Sequence, residues 1–295
     1  MHPLFCAWRR GLRPGDRFTL EEDFTSLSRE KEPDRLMTPA GFSWESYQRD
    51  PALGSGEDTR LHLSLIPEPY VGNLMQARVV ILLLNPGLTP SDYHAQGIPA
   101  YRDALLEQLK GEGNAGDYPF LHLDPAYAWQ DGFTWWSGKL RAVIKKAAVD
   151  WFGKDVIAAR RAVARQVAAL ELVPYHSECF GLSDDLVGRL RSSTLARDFV
   201  RQVLVPKAAA GGCEIVVTRR VRDWGLLAET GDLPGVINYS SPGHARSASL
   251  SPGSRGGQAI LRAVKAYVET GDPPAAPAPA PWSAPLTPLT AALSD

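Results

Sequence analysis

The sequence predicts an α/β fold of three layers, α/β/α, around a central, mainly parallel four-stranded sheet. Two observations predict it. Short apolar runs recur near positions 80, 171, 216 and 237, and segments with helical periodicity separate them. Strands that alternate with helices pair in parallel and are covered on both faces.

Taken in chain order, residues 1–77 mix charged runs such as Glu30-Lys31-Glu32 with Trp44, Tyr47 and Pro-rich turns. They read as helices and loops packed on the main domain. Val79–Leu84 is the first strand. Pro99–Lys110 reads as a helix, with Pro99 in the first turn where its missing N–H is harmless. Phe133–Val149 sets Trp136, Leu140, Val143 and Ile144 on one face and basic residues on the other. Asp155–Ala169 is a third helix and Leu170–Val173 a short strand ending at Pro174. Ser193–Ala210 is a helix stopped by Gly211-Gly212. Glu214–Thr218 and Gly235–Tyr239 are strands, and Gly256–Glu269 closes the domain. The α/β domain is thus expected over 78–270. The Pro/Ala-rich stretch 271–295 is expected to be a disordered tail, because its composition cannot build a core. No internal repeat is present.

Composition narrows the function classes. The chain has 295 residues, 44% hydrophobic and 22% charged, with formal net charge −1. That is the balance of an ordinary globular enzyme without a global basic field for nucleic acid, although a local basic groove remains open. Cys6, Cys179 and Cys213 are scattered, so a disulfide framework and a four-thiolate metal site are not expected, and a reducing cytoplasm fits. The N-terminus lacks a signal-peptide core, and Val79–Leu84 is too short to span a membrane.

Two segments carry the chemistry. Val79–Leu88 and Gly235–Ser247 each run from apolar residues into a Gly/Pro-rich polar turn. Open α/β sheets place their sites at such strand ends. After the first strand comes Asn85-Pro86-Gly87-Leu88, where Pro86 and Gly87 favour a sharp turn that would aim backbone amides and the Asn85 carboxamide into a crevice. A carboxamide donates and accepts, so Asn85 can hold and orient a water; capping the turn is the other reading.

This segment resembles the first motif of the uracil-DNA glycosylase superfamily, whose mismatch-specific and single-strand-selective branches carry a strand ending in Asn-Pro-Gly. Further pieces follow in order. Trp136 with Leu140 resembles a Phe-Trp-x-x-Leu helix, one residue longer in spacing. Leu172-Val173-Pro174-Tyr175 resembles a Leu-Val-Pro-Tyr strand end, and Glu214–Thr218 stands where the next core strand belongs. Asn238-Tyr239-Ser240-Ser241-Pro242-Gly243-His244-Ala245-Arg246 resembles the second motif. The likeness runs from about residue 75 to 268. The chain departs from the pattern at Leu83, where members carry Gly, and at Tyr239, which replaces Pro. No Leu wedge follows Pro242-Gly243; His244 stands there. Three cysteines do not supply the four an iron–sulfur branch needs, and Asn85 replaces the Asp of the uracil-specific branch.

The resemblance implies a DNA glycosylase that extrudes its target nucleotide into a pocket. Asn85 would position the attacking water, and Asn238 or His244 would donate to the departing base, where negative charge collects. Pro86, Gly87, Asp92, Tyr93 and Phe120 would line the base pocket, with Phe120 a stacking face or plain core. Asp92 could assist the water or be an exposed loop carboxylate. Ser240, Ser241, Gly243, Arg246 and Arg219 would grip the DNA backbone. The target is uracil or a mismatched pyrimidine, or a bulky modified cytosine of phage DNA, serving repair or antiviral defence respectively. DNA is the expected partner, with no metal, cofactor or membrane, and the protein is expected to be a cytoplasmic monomer. A non-catalytic nucleic-acid-binding module on the same fold is the rival from another class. An unrelated α/β enzyme acting on a nucleotide is a third.

Other signals carry less. Gly111-Glu-Gly-Asn-Ala-Gly116 follows a helix, which fails the dinucleotide-binding context. His176-Ser-Glu178-Cys179 fits no standard zinc spacing. Trp135-Trp136 reads as a core anchor, and no Gly-x-Ser-x-Gly elbow is present.

Overall fold

The computed structural model describes residues 2–11, 17–111, 116–226, 233–239 and 250–270. The expected tail and residues 240–249 lie outside them.

The described chain is α/β with a mixed sheet of five strands in the order β1-β3-β2-β4-β5. The strands are β1 (Tyr70–Val71), β2 (Val79–Leu83), β3 (Val167–Glu171), β4 (Glu214–Val217) and β5 (Val236–Asn238). β3, β2, β4 and β5 are parallel, as the apolar runs imply. The fifth strand corrects the expected count. β1 runs antiparallel along the outer edge of β3, pairing Tyr70 with Leu170 and Val71 with Ala169. A two-residue strand leaves too little periodicity to read in sequence. The chain leaves it through Gly72 (φ +85°), where a Cβ would stand 2.8 Å from the Val167 carbonyl oxygen, so only glycine passes there.

The helices are α1 (Pro3–Gly11), α2 (Glu21–Ser28), α3 (Trp44–Tyr47), α4 (Pro90–Gln96), α5 (Pro99–Gln108), α6 (Asp131–Trp151), α7 (Val156–Gln166), α8 (Asp184–Arg189), α9 (Arg191–Phe199), α10 (Val205–Ala209) and α11 (Arg255–Thr270). Two boundaries moved for physical reasons. Val167–Ala169, expected at the end of a helix, joins β3 because the register pairs Val79 with Val167 and continues to Leu83 with Glu171. Tertiary pairing overrides the helix propensity of the alanines there. The expected Ser193–Ala210 helix is broken by a π turn at Val200–Leu204. Pro206 cannot donate to the carbonyl four residues back, and the wider turn absorbs the crowding of its ring.

Helices α6, α7 and α11 pack on one another, while α1, α9, the π turn and α10 form a second group. The connection from β2 to β3 runs one way across the sheet and that from β3 to β4 runs the other. With right-handed crossovers this sends their helices to opposite faces, an arrangement compatible with three layers. β2 and β3 are buried nearly throughout, as sheets covered on both sides are.

The described part of residues 1–77 is built into this core. Leu4, Phe5 and Trp8 of α1 belong to the same apolar cluster as the strands. Tyr175, just past β3, ties the N-terminal segment down: its hydroxyl donates to Asp23 Oδ2 (2.7 Å) and accepts from Thr19 Oγ1 (3.0 Å) and Leu20 N (3.3 Å). Tyr175→Phe leaves these buried groups short of a partner. Chemical unfolding is expected to show it less stable than wild type by roughly 1–3 kcal/mol.

Candidate active site

The strand order reverses between β2 and β4, because the chain runs outward from β2 to β3 and returns on the other side. At such a reversal the loops diverge and a crevice opens beyond the carboxyl ends of the strands. A cavity of about 510 Å³ lies there, within the usual range of roughly 300–1,000 Å³ for small-molecule sites. The segment after β2 (Leu84–Gly87), Glu171 and the loop after β3, Thr218 and Arg219 after β4, and the first turns of α6 form its walls.

The loops after β2 and β3 continue the pairing of their strands. Val173 N donates to Leu84 O (2.9 Å), and Ser177 N to Pro86 O (3.4 Å). His176 Nδ1 reaches Gly87 O at 2.8 Å. Asn85-Pro86-Gly87 is therefore held extended against the β3 loop, and the sharp turn expected from Pro86 and Gly87 is not formed. The φ of Gly87 is not positive, and a Cβ there would meet nothing within 4 Å.

This zipped geometry fixes Asn85. Its Nδ2 donates to Pro86 O (2.9 Å), Ser177 Oγ (2.9 Å) and, more weakly, Tyr175 O (3.4 Å). Two of these partners are carbonyl oxygens, which only accept, so the orientation of the amide is settled. Among the described residues nothing donates to Oδ1, and Asn85 lines the cavity half-buried. It presents one oriented acceptor, the arrangement that fixes a water by its proton.

Around it lies a buried cluster of acids and imidazoles. His122 Nε2 donates to Glu68 Oε2 (2.7 Å), and His176 Nε2 stands 3.8 Å from Glu68 Oε1. Burial works to raise the Glu68 carboxyl, but the neighbouring His122 and His176 outweigh it and hold the group below its ordinary value. Both ring nitrogens of His176 face carbonyl oxygens, of Gly87 (2.8 Å) and Ile66 (3.2 Å). Gly132, in the first turn of α6, lets the helix approach: a Cβ there would stand 2.7 Å from His122 Nδ1.

Asp92 is buried in this cluster, not on an exposed loop. It closes a capping box with Thr89 at the start of α4, accepting from Thr89 N (2.7 Å), and takes Gln130 Nε2 at 2.8 Å. Burial raises its carboxyl, with His176 and the Thr89 N–H acting against that.

Of the residues anticipated from sequence, Asn85, Pro86, Gly87, Asp92 and Arg219 line the cavity. Three do not. Phe120 is wholly buried, edge-to-face with Trp136 at 4.8 Å, and offers no face for stacking. Tyr93 turns into a separate apolar cluster with Phe42, Tyr47, Leu65 and Leu88, its hydroxyl 2.7 Å from His62 Nδ1. Asn238 bonds to Leu226 O (3.4 Å) away from the cavity lining. Ser240, Ser241, Gly243, His244 and Arg246 fall outside the described residues. Trp135, read as core with Trp136, instead stands 48% exposed on the cavity wall, with Lys139 Nζ 5.3 Å over its ring.

Sequence reading missed Glu68, His122 and Glu171, and set His176 aside. Glu171 left a signal: it is a carboxylate at the end of an apolar run. Glu68 and His122 left none, since both reach the site from irregular segments. Among the described residues no three His, Cys, Asp or Glu side chains are grouped to hold a metal, and no helix is long and apolar enough to cross a membrane.

No family model, no curated protein and no solved structure matches the chain.

Glu68→Gln breaks a buried charged pair and is expected to cost about 3–5 kcal/mol at neutral pH. Because the folded carboxyl lies below its ordinary value of 4.5, the advantage of wild type is complete above that value. It is lost as pH falls through the lower folded one. Urea unfolding of both proteins between about pH 3 and about pH 7 checks both statements.

Proposed function

We propose that the protein is a DNA glycosylase of the uracil-DNA glycosylase superfamily, on a three-layer α/β/α fold. It would hydrolyse the N-glycosidic bond of a flipped-out base and leave an abasic site. The observation that carries this reading is the Asn85 carboxamide, held by three hydrogen bonds with Oδ1 left to accept, in a crevice large enough for a base. In the reaction the water bound at Oδ1 adds to C1′ of the sugar while the bond to the base breaks. The electron pair of that bond leaves with the base, and the proton that the water gives up passes, directly or through solvent, to the departing base. His176, which lines the same cavity, would offer an imidazole toward that departing negative charge, and preoriented donors of that kind are a large catalytic term in water-poor sites. Asn238, which does not line the cavity, is not assigned that role. Arg219, exposed at the rim, suits a backbone phosphate.

On this reading the target is uracil or a mismatched pyrimidine in repair, or a bulky modified cytosine of phage DNA in antiviral defence. The protein would work in the cytoplasm as a monomer. Cys6, Cys179 and Cys213 form no disulfide, which suits a reducing compartment.

Abasic-site formation, read as alkali-labile cleavage, tests the reading on DNA carrying uracil, mismatches, or hydroxymethylated and glucosylated cytosine. One substrate is expected to be cleaved, and Asn85→Ala to lose about 100-fold or more of the rate. DNA binding with no abasic sites on any substrate would overturn it in favour of the binding module. Trp135→Ala is expected to weaken DNA binding by about 1–3 kcal/mol, the usual worth of one stacked base, measured by fluorescence anisotropy at fixed salt.

A further inference from the structure

The cavity lining contains a buried polar side chain that nothing among the described residues satisfies. Glu171 is the last residue of β3, paired with Leu83 across β2, and its backbone N–H is held by Pro69 O at 2.9 Å. Strands on both sides fix its position. Its side chain lines the cavity, the residue is only 9% exposed, and Oε2 is buried without a hydrogen-bond partner. Buried carboxyl oxygens are nearly always bonded, so an unmet one in a cavity marks a place where a ligand bonds.

The charge state of this carboxyl follows from its surroundings. Burial and then Glu68 push it well above the ordinary range, against the smaller pull of Arg219. Glu68 carries the negative charge of the pair, since it has His122 and His176 beside it, while Asp92 adds a further acid near Glu68. Two carboxylates close together do not both ionise cheaply. Glu171 is therefore the neutral acid, with one O–H to donate and one C=O to accept, side by side. A carboxylic acid kept neutral so that it can donate is a known device of enzyme sites.

That side-by-side pair has a complement. A heterocycle edge with an acceptor next to an N–H donor meets both at once, whether it is a lactam (carbonyl oxygen beside ring N3–H, as in uracil and thymine) or an amidine (ring N3 beside the exocyclic amine, as in cytosine). We propose that Glu171 reads the edge of the pyrimidine in the cavity through this cyclic pair of hydrogen bonds. The proposal rests on the base-binding reading of the cavity and adds the residue that reads the base and the edge it reads.

Binding of 1-methyluracil and 1-methylcytosine to the full chain, followed by NMR, tests it apart from catalysis. Wild type is expected to bind while the acid is protonated, near neutral pH and below, and to weaken about tenfold for each pH step of about one above the point where the acid ionises, followed by titrating upward from about pH 6. Glu171→Gln keeps a donor and an acceptor in the same shape and is expected to bind without that loss. Glu171→Leu, close in size and apolar, is expected to abolish binding, as is blocking the ring N–H in 1,3-dimethyluracil. Equal binding by Glu171→Leu, no binding by wild type at any pH, or the same pH loss in Glu171→Gln would overturn the proposal. The two readings fail separately. These binding results without abasic sites in DNA would remove the glycosylase and keep Glu171 as the reader; abasic-site formation with base binding unchanged in Glu171→Leu would do the reverse.

Discussion

The pairing of β2 with β3 is the constraint on which the site depends, because it does not stop where the strands end. Parallel strands leave in the same direction, so their exit loops run side by side. Here Leu84, Pro86 and Gly87 offer carbonyls to Val173, Ser177 and His176 in turn. One side of the zipper holds the Asn85 amide and the other holds an imidazole. Neither loop has regular structure of its own, yet each backbone group finds a partner in the other, as buried irregular backbone must. The groups that line the cavity are thus placed by strand register and not by a local turn.

The second organising element is electrostatic. Glu68 and Glu171 are both buried carboxyls of the same cavity, and their surroundings drive them in opposite directions. The two imidazoles beside Glu68 hold its carboxyl below the ordinary value, while burial and Glu68 itself push that of Glu171 above it. Pairs of acids separated in this way are how one site presents an acceptor-only anion and a donor at the same pH. Gly132 makes the arrangement possible by letting the N-terminal turn of α6 close over His122. Tyr175 and Asp23 lock the β3 loop to the N-terminal segment, so residues far apart in the chain share the work of holding the cavity open.

The strands near 80, 171, 216 and 237 were legible because fully buried parallel strands read as continuous apolar runs, and Asn85 because it follows the clearest of them. Burial of the remaining candidates was not legible. Phe120 and Tyr93 are aromatic residues in loops or short helices, and composition cannot say whether such a ring faces a core or a cavity. Trp135 and Trp136 show the difficulty within one dipeptide: a step of about 100° around a helix puts one ring in the core and its neighbour on the cavity wall. Asn238 ends the last parallel strand, as Asn85 follows the first described one in that set. The reversal of strand order nevertheless lies between β2 and β4, which leaves β5 one strand away from the crevice.

By itself the sequence determined the α/β class, the four parallel strands and the placing of Asn85 at a strand end. Those follow from local periodicity and turn chemistry, which a chain carries along its length. Only the tertiary structure decided the fifth strand, the extended course of Asn85-Pro86-Gly87 and the cluster of Glu68, His122, His176 and Glu171. Strand pairing, and the desolvation that gives buried acids their charge state, depend on neighbours distant in sequence, and no local pattern records which neighbours those are.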